Sequence, residues 1–92
     1  MNKMEKKNLM DKMIRELEDI ANSQTSLLKK IAQLEADNIN LNNGLLDKKL
    51  PSIHEKIDDG LIEVNEVAAS FTDLRDKFVK DNQLDKIAEP AV

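Results

Sequence analysis

His54 is the only histidine of the chain, and it stands one helical turn before Asp58. An imidazole and a carboxylate at that spacing can share a metal ion on a helix surface, but a stable site needs three or four such ligands. The chain has no cysteine, which excludes thiolate zinc sites and disulfides. No E-x-x-H pair of the helical di-iron type occurs, and no G-x-x-x-x-G-K or G-x-G-x-x-G loop is present to cradle a phosphate. His54 therefore reads as a capping-turn residue. Neither a metal nor another cofactor is expected, nor a small-molecule substrate, and the chain is not expected to be an enzyme.

Charge narrows the partners. Residues 1–43 carry seven basic and seven acidic side chains, so the formal net charge of −4 lies wholly in residues 44–92. Glu55, Asp58, Asp59, Glu63 and Glu66 form an acidic stretch there, which ordinarily is a solvated helix face. Lys3, Lys6 and Lys7 are too few to neutralise a run of phosphates, so no nucleic-acid partner is expected. No apolar run is long enough to span a membrane, and "MNKMEKKNLMDK" lacks the apolar centre of a secretion signal. No membrane partner is expected, and a cytoplasmic location is the expectation.

Amphipathic helices are what could position working side chains in this sequence. Its 92 residues are 35% charged and only 2% aromatic, a diet of Leu, Ile, Val, Met and Ala suited to helix–helix seams. With Met10 at heptad position a, the a residues are Met10, Leu17, Gln24, Ile31, Asn38 and Leu45, and the d residues are Met13, Ile20, Leu27, Leu34 and Leu41. Position e adds Ile14, Ala21 and Leu28, giving a broad stripe in the first half of this helix. A second repeat has Leu50, Ile57, Val64, Phe71 and Phe78 at a, with Ile53, Gly60, Val67 and Leu74 at d. The two registers are out of phase, so the seam breaks between them.

Local chemistry puts the break at the same place. Asn42-Asn43-Gly44 can end a helix, with Gly44 as its left-handed residue. Pro51 disfavours helical geometry at Leu50, and Ser52-x-x-Glu55 is a capping box for a new start. The pattern predicts an all-α chain: one helical domain over residues 1–92, with a helix over about 4–43, a bend over 44–52, a helix over about 53–81 and a short turn or frayed tail over 82–92. Folded back, the first helix would overhang the second by about a dozen residues at its Met-rich end. Asp11/Arg15, Asp73/Lys77 and Asp76/Lys80 have the acid-first spacing of exposed ion pairs.

A two-helix hairpin is too small to make an independent core. The expectation is an antiparallel helical hairpin, or coiled coil, that completes a four-helix bundle with itself or with another helical protein. The interface would be carried by Met10, Met13, Ile14, Leu17, Ile20, Gln24, Leu27, Ile31, Leu34, Asn38, Leu41, Ile57, Val64, Val67, Phe71, Leu74 and Phe78. Gln24 and Asn38 are polar at a positions, where they fix register and partner choice at a cost in stability. The function so indicated is a non-enzymatic oligomerisation or adaptor subunit of a larger assembly. The alternative is a small acidic chaperone or regulator, phage- or secretion-associated, that grips a protein through the Met-rich end. In outline the chain is similar to the W-x-G proteins of type VII secretion, but it has no Trp and no Y-x-x-x-D/E tail, so no family is assigned.

Overall fold

The computed structural model describes residues 1–84 and holds two helices packed side by side as a hairpin. Helix α1 spans Lys3–Leu41 and α2 spans Gly44–Asp81. The particle measures 65 × 22 × 18 Å, the shape of a folded pair rather than of one undivided rod. Among the described residues there is no strand, and no helix is long and apolar enough to cross a membrane.

Helix α1 contains neither Gly nor Pro and opens on Asn2, whose side-chain oxygen accepts from the Glu5 N–H at 2.8 Å. That bond satisfies one of the orphan donors of the first turn. The turn between the helices is only two residues long. Asn42 takes the left-handed conformation at φ 58°, and its N–H donates to the Asn38 carbonyl at 2.7 Å. Asn43 then caps α2, its side-chain oxygen accepting from Leu46 N–H at 3.1 Å.

Three expectations give way here. Gly44 is not the left-handed residue but the first residue of α2; Asn42 serves instead, because asparagine tolerates that conformation better than other non-glycine residues. Residues 44–52 are not a bend, and Ser52-x-x-Glu55 is helix interior rather than a cap. Pro51 sits inside α2, where its missing N–H leaves the Asp47 carbonyl without its usual helical donor. The helix carries on because Leu50, next to it, is only 5% exposed; burying that side chain against α1 outweighs one lost hydrogen bond. The fourth residue of the chain's expected tail, Asp85, and those after it lie outside the described residues, while Leu84 before them is buried.

The helices are 39 and 38 residues long, so there is no overhang. Lys6 Nζ lies 5.1 Å from the centroid of the Phe78 ring, and Asp11 meets Arg75; the Met-rich end of α1 runs alongside the end of α2. Pro51→Ala restores a helical N–H and is expected to stabilise the chain by about 1–3 kcal/mol. Urea unfolding followed by circular dichroism checks this; an unchanged or lower midpoint would mean that Pro51 is not in a continuous helix.

Candidate interaction surface

The register of the hairpin is pinned by polar contacts along its length. At the bend, Asn38 is 3% exposed and its side chain joins three groups. Its oxygen accepts from the Asn43 N–H at 2.9 Å, and its Nδ2 donates to the Asn43 carbonyl at 3.2 Å and to Asp47 Oδ1 at 2.6 Å. Further along, His54 Nδ1 lies 2.6 Å from Glu35 Oε1, Gln24 Nε2 donates to the Ile57 carbonyl at 3.4 Å, and Arg75 Nε donates to Asp11 at 2.7 Å. These contacts hold the two helices in one antiparallel alignment, in which Leu17 and Ile20 of α1 come together with Val67 and Phe71 of α2.

His54 thus pairs across the seam with Glu35, not along its own helix with Asp58, and it is not a capping residue. Among the described residues no three His, Cys, Asp or Glu side chains gather in a way that could hold a metal. The three expected i,i+4 ion pairs are replaced by others. Asp11 bonds Lys7 at 2.9 Å and Arg75 at 2.7 Å, and Arg75 also reaches Asp76 at 3.1 Å. Lys7 on its own helix and Arg75 across on α2 give Asp11 two cations in place of the one that Arg15 offered.

The seam itself departs from expectation. Both helices bury their a and e positions against each other: Met10, Ile14, Leu17, Gln24, Leu28, Ile31 and Asn38 from α1, and Leu50, Ile57, Leu61, Val64, Phe71 and Phe78 from α2, are half-buried or buried. The d residues are left out. Met13, Ile20, Leu27, Leu34, Leu41, Ile53, Val67 and Leu74 are all between 41% and 69% exposed. Seven residues expected at one interface with the a positions (Met13, Ile20, Leu27, Leu34, Leu41, Val67 and Leu74) therefore lie at the edge of the helix–helix core, with much of their surface open. The reason lies in the breadth of the stripe. Positions a, d and e cover about 100° of helix surface, and a single neighbouring helix can cover only two of the three.

Geometry gathers the exposed residues. Position d lies about 60° from a, on the side away from e, in any α-helix. Because the helices are antiparallel and meet on the same a/e edge, their d stripes emerge on one side of the hairpin. A shallow groove of about 240 Å³ shows this directly, bringing Met13, Leu17 and Ile20 of α1 together with Val67 and Phe71 of α2. The opposite side carries the b positions, which are polar for most of their length: Asp11, Glu18 and Thr25 from α1, and Asp58, Asn65 and Thr72 from α2. Much of the acidic stretch of α2 falls away from the d face; of its members Glu63, at g, and Glu66, which lines a groove with Val67 and Leu74, border that face.

Gly60 occupies the d position level with Leu27 and explains how Gln24 is held. A Cβ at residue 60 would stand 2.7 Å from Gln24 Nε2, so the absence of a side chain lets the amide lie over the α2 backbone. Nothing in the sequence alone signalled that Gln24 and Gly60 belong to one layer, because their pairing depends on the register set at the bend.

No protein-family model matches the chain, and neither the curated proteins nor the solved structures provide a match.

Two predictions follow from the polar contacts. Partial burial acts to raise the Asp11 pKa, but hydrogen bonds and charge from Arg75 and Lys7 outweigh it and hold the carboxyl below its ordinary range. The stabilisation is therefore present above the unfolded-state pKa of about 4 and is lost as pH falls through the lower folded-state value. NMR titration of the Asp11 carboxyl should show an upward shift in Arg75→Gln, and an unmoved midpoint would show that the ion pair does not form. Asn38→Ala strands the Asn43 N–H and is expected to cost about 1–3 kcal/mol in denaturant unfolding.

Proposed function

We propose that the chain is a non-enzymatic helical interaction module, an oligomerisation or adaptor subunit that works through the face bearing both d stripes. One observation carries the reading: eight large apolar side chains at heptad spacing share one side of the hairpin and stay exposed. Isolated exposed leucines are ordinary. Two rows side by side, the one on α1 running about 42 Å from Met13 to Leu41, make a patch of the size that marks a protein-binding surface.

The energetics point the same way. Among the described residues only Leu50, Val79 and Leu84 are buried apolar side chains, a thin core for a chain of 92 residues. Covering the d face adds the burial that the hairpin by itself lacks. The reading of a chaperone that grips its client through a projecting Met-rich end loses its geometric support, since α2 runs alongside that end.

Charged substitutions test the proposal. Ile20→Glu with Leu34→Glu, both on the d face, is expected to abolish association in sedimentation and to lower the thermal midpoint. Glu18→Lys on the opposite side is expected to change neither. A doubly substituted chain with the parent's mass, helicity and melting behaviour would show that the face is merely solvated.

A further inference from the structure

The d face is organised about a centre. On α1 the exposed stripe runs from Met13 to Leu41 with Leu27 midway, and one heptad on from Ile20 and Val67, which share a groove, Leu27 comes level with Gly60 on α2. That middle layer is the one with a missing side chain, and the Gln24 amide lies across it, within 2.7 Å of where a Cβ would stand. Among the described residues Gln24 makes one hydrogen bond, a long one of 3.4 Å from Nε2 to the Ile57 carbonyl. Its Oε1 is left to solvent. A group with an unused acceptor and spare donor capacity thus sits at the midpoint of an otherwise apolar surface.

Resting on the reading of this face as a binding surface, we propose that its occupant is a second copy of the chain. The two hairpins close face to face with their bends at opposite ends, and the two Gln24 amides meet at the two-fold axis in the space left by the two Gly60 residues. Each helix then lies antiparallel to the same helix of the second copy, and the assembly is a four-helix bundle whose neighbours are all antiparallel.

Three features favour this occupant and this orientation. The stripes are symmetric about Leu27 and Gly60, so reversing one hairpin overlays apolar layers on apolar layers through their full length. An interface about 42 Å long, from Met13 to Leu41 at 1.5 Å per residue, and one helix pair or 22 Å wide removes about 800 Å² from each copy, the size of a standard stable complex. The charged residues that continue the d stripe, Lys6 and Asp81, fall beyond the bend of the other copy and remain in water.

The opposite orientation, with both bends at one end, would set Lys6 beside Asp81 of the second copy. It would also press Leu27 onto the Gln24 amide. An exposed ion pair gains little, whereas an amide sealed against a leucine loses its water without gaining a partner. With bends at opposite ends, each Oε1 can accept from the other amide, the register-setting role that a polar a residue plays in coiled coils. At the rim Lys56 comes level with Glu63 of the second copy, an attraction that offsets the repulsion where Glu16 comes level with Asp37.

Because the chain has no cysteine, a single label can be placed cleanly. Asn8 is exposed at position f and enters none of these contacts, and it stands 19 residues from Leu27 in sequence. Asn8→Cys carrying a nitroxide, with a sedimentation mass taken at about 100 μM to favour association, tests the proposal by spin–spin distance measurement. A dimer with label separation of about 55–60 Å along the bundle is expected, from twice that helical rise. A dimer with a separation of about 30 Å, the width of a bundle plus labels, overturns the arrangement while leaving the binding face standing. A monomer overturns the second copy as occupant. The binding-face reading itself fails only on the separate result that Ile20→Glu with Leu34→Glu changes nothing.

Discussion

The hydrogen bonds of Asn38 hold the rest of the structure in place. Buried at the bend, its side chain accepts from and donates to Asn43 and donates to Asp47, so the last turn of α1 and the first turn of α2 are locked as one unit. A helix pair can slide by a heptad with little change in its apolar contacts. It cannot slide here without stranding buried polar groups, which costs more than the apolar gain of a shifted register. From this anchor follow the alignment of Glu35 with His54, of Gln24 with Gly60 and of Asp11 with Arg75.

The same anchor creates the face on which the proposed function depends. Once the register is set, the two d stripes run level and on one side, and the a and e residues are spent on the intramolecular seam. The hairpin is thus sided: apolar along one flank, polar over most of the other apart from Ala32, Ile39 and Pro51 near the bend, with the surplus negative charge mostly away from the apolar flank. Such sidedness is the feature on which the proposed role as an interaction module rests. Gln24, whose amide lies where a Cβ of Gly60 would stand, sets a polar group beside the middle of that row.

Much of the architecture was legible in the residue pattern. Five consecutive apolar d positions, a second repeat out of phase with the first, and Asn42-Asn43-Gly44 between them already describe two helices and a reversal. The reversal was placed too wide because Pro51 and Ser52-x-x-Glu55 look like the end of a loop. Local preferences of that kind are worth about 1–3 kcal/mol, and the burial of Leu50 beside them is of similar size or larger. Asn38 was recognised as a polar residue at a seam position, but its partners lie five and nine residues away across a turn, beyond what periodicity reports.

By itself the sequence determined that the chain is helical, that it folds back near residue 43, and that each helix carries apolar residues at a, d and e. These follow from spacing and turn chemistry, which act over a few residues. Only the tertiary structure decided which edge of each stripe is used up. One helix covers two of three adjacent rows, and the choice between a/d and a/e depends on contacts made at once along the whole seam, from Asn38 at the bend to Asp11 and Arg75 near the open end. The seam took a and e, and the d rows that resemble a coiled-coil core in the sequence became an exposed face.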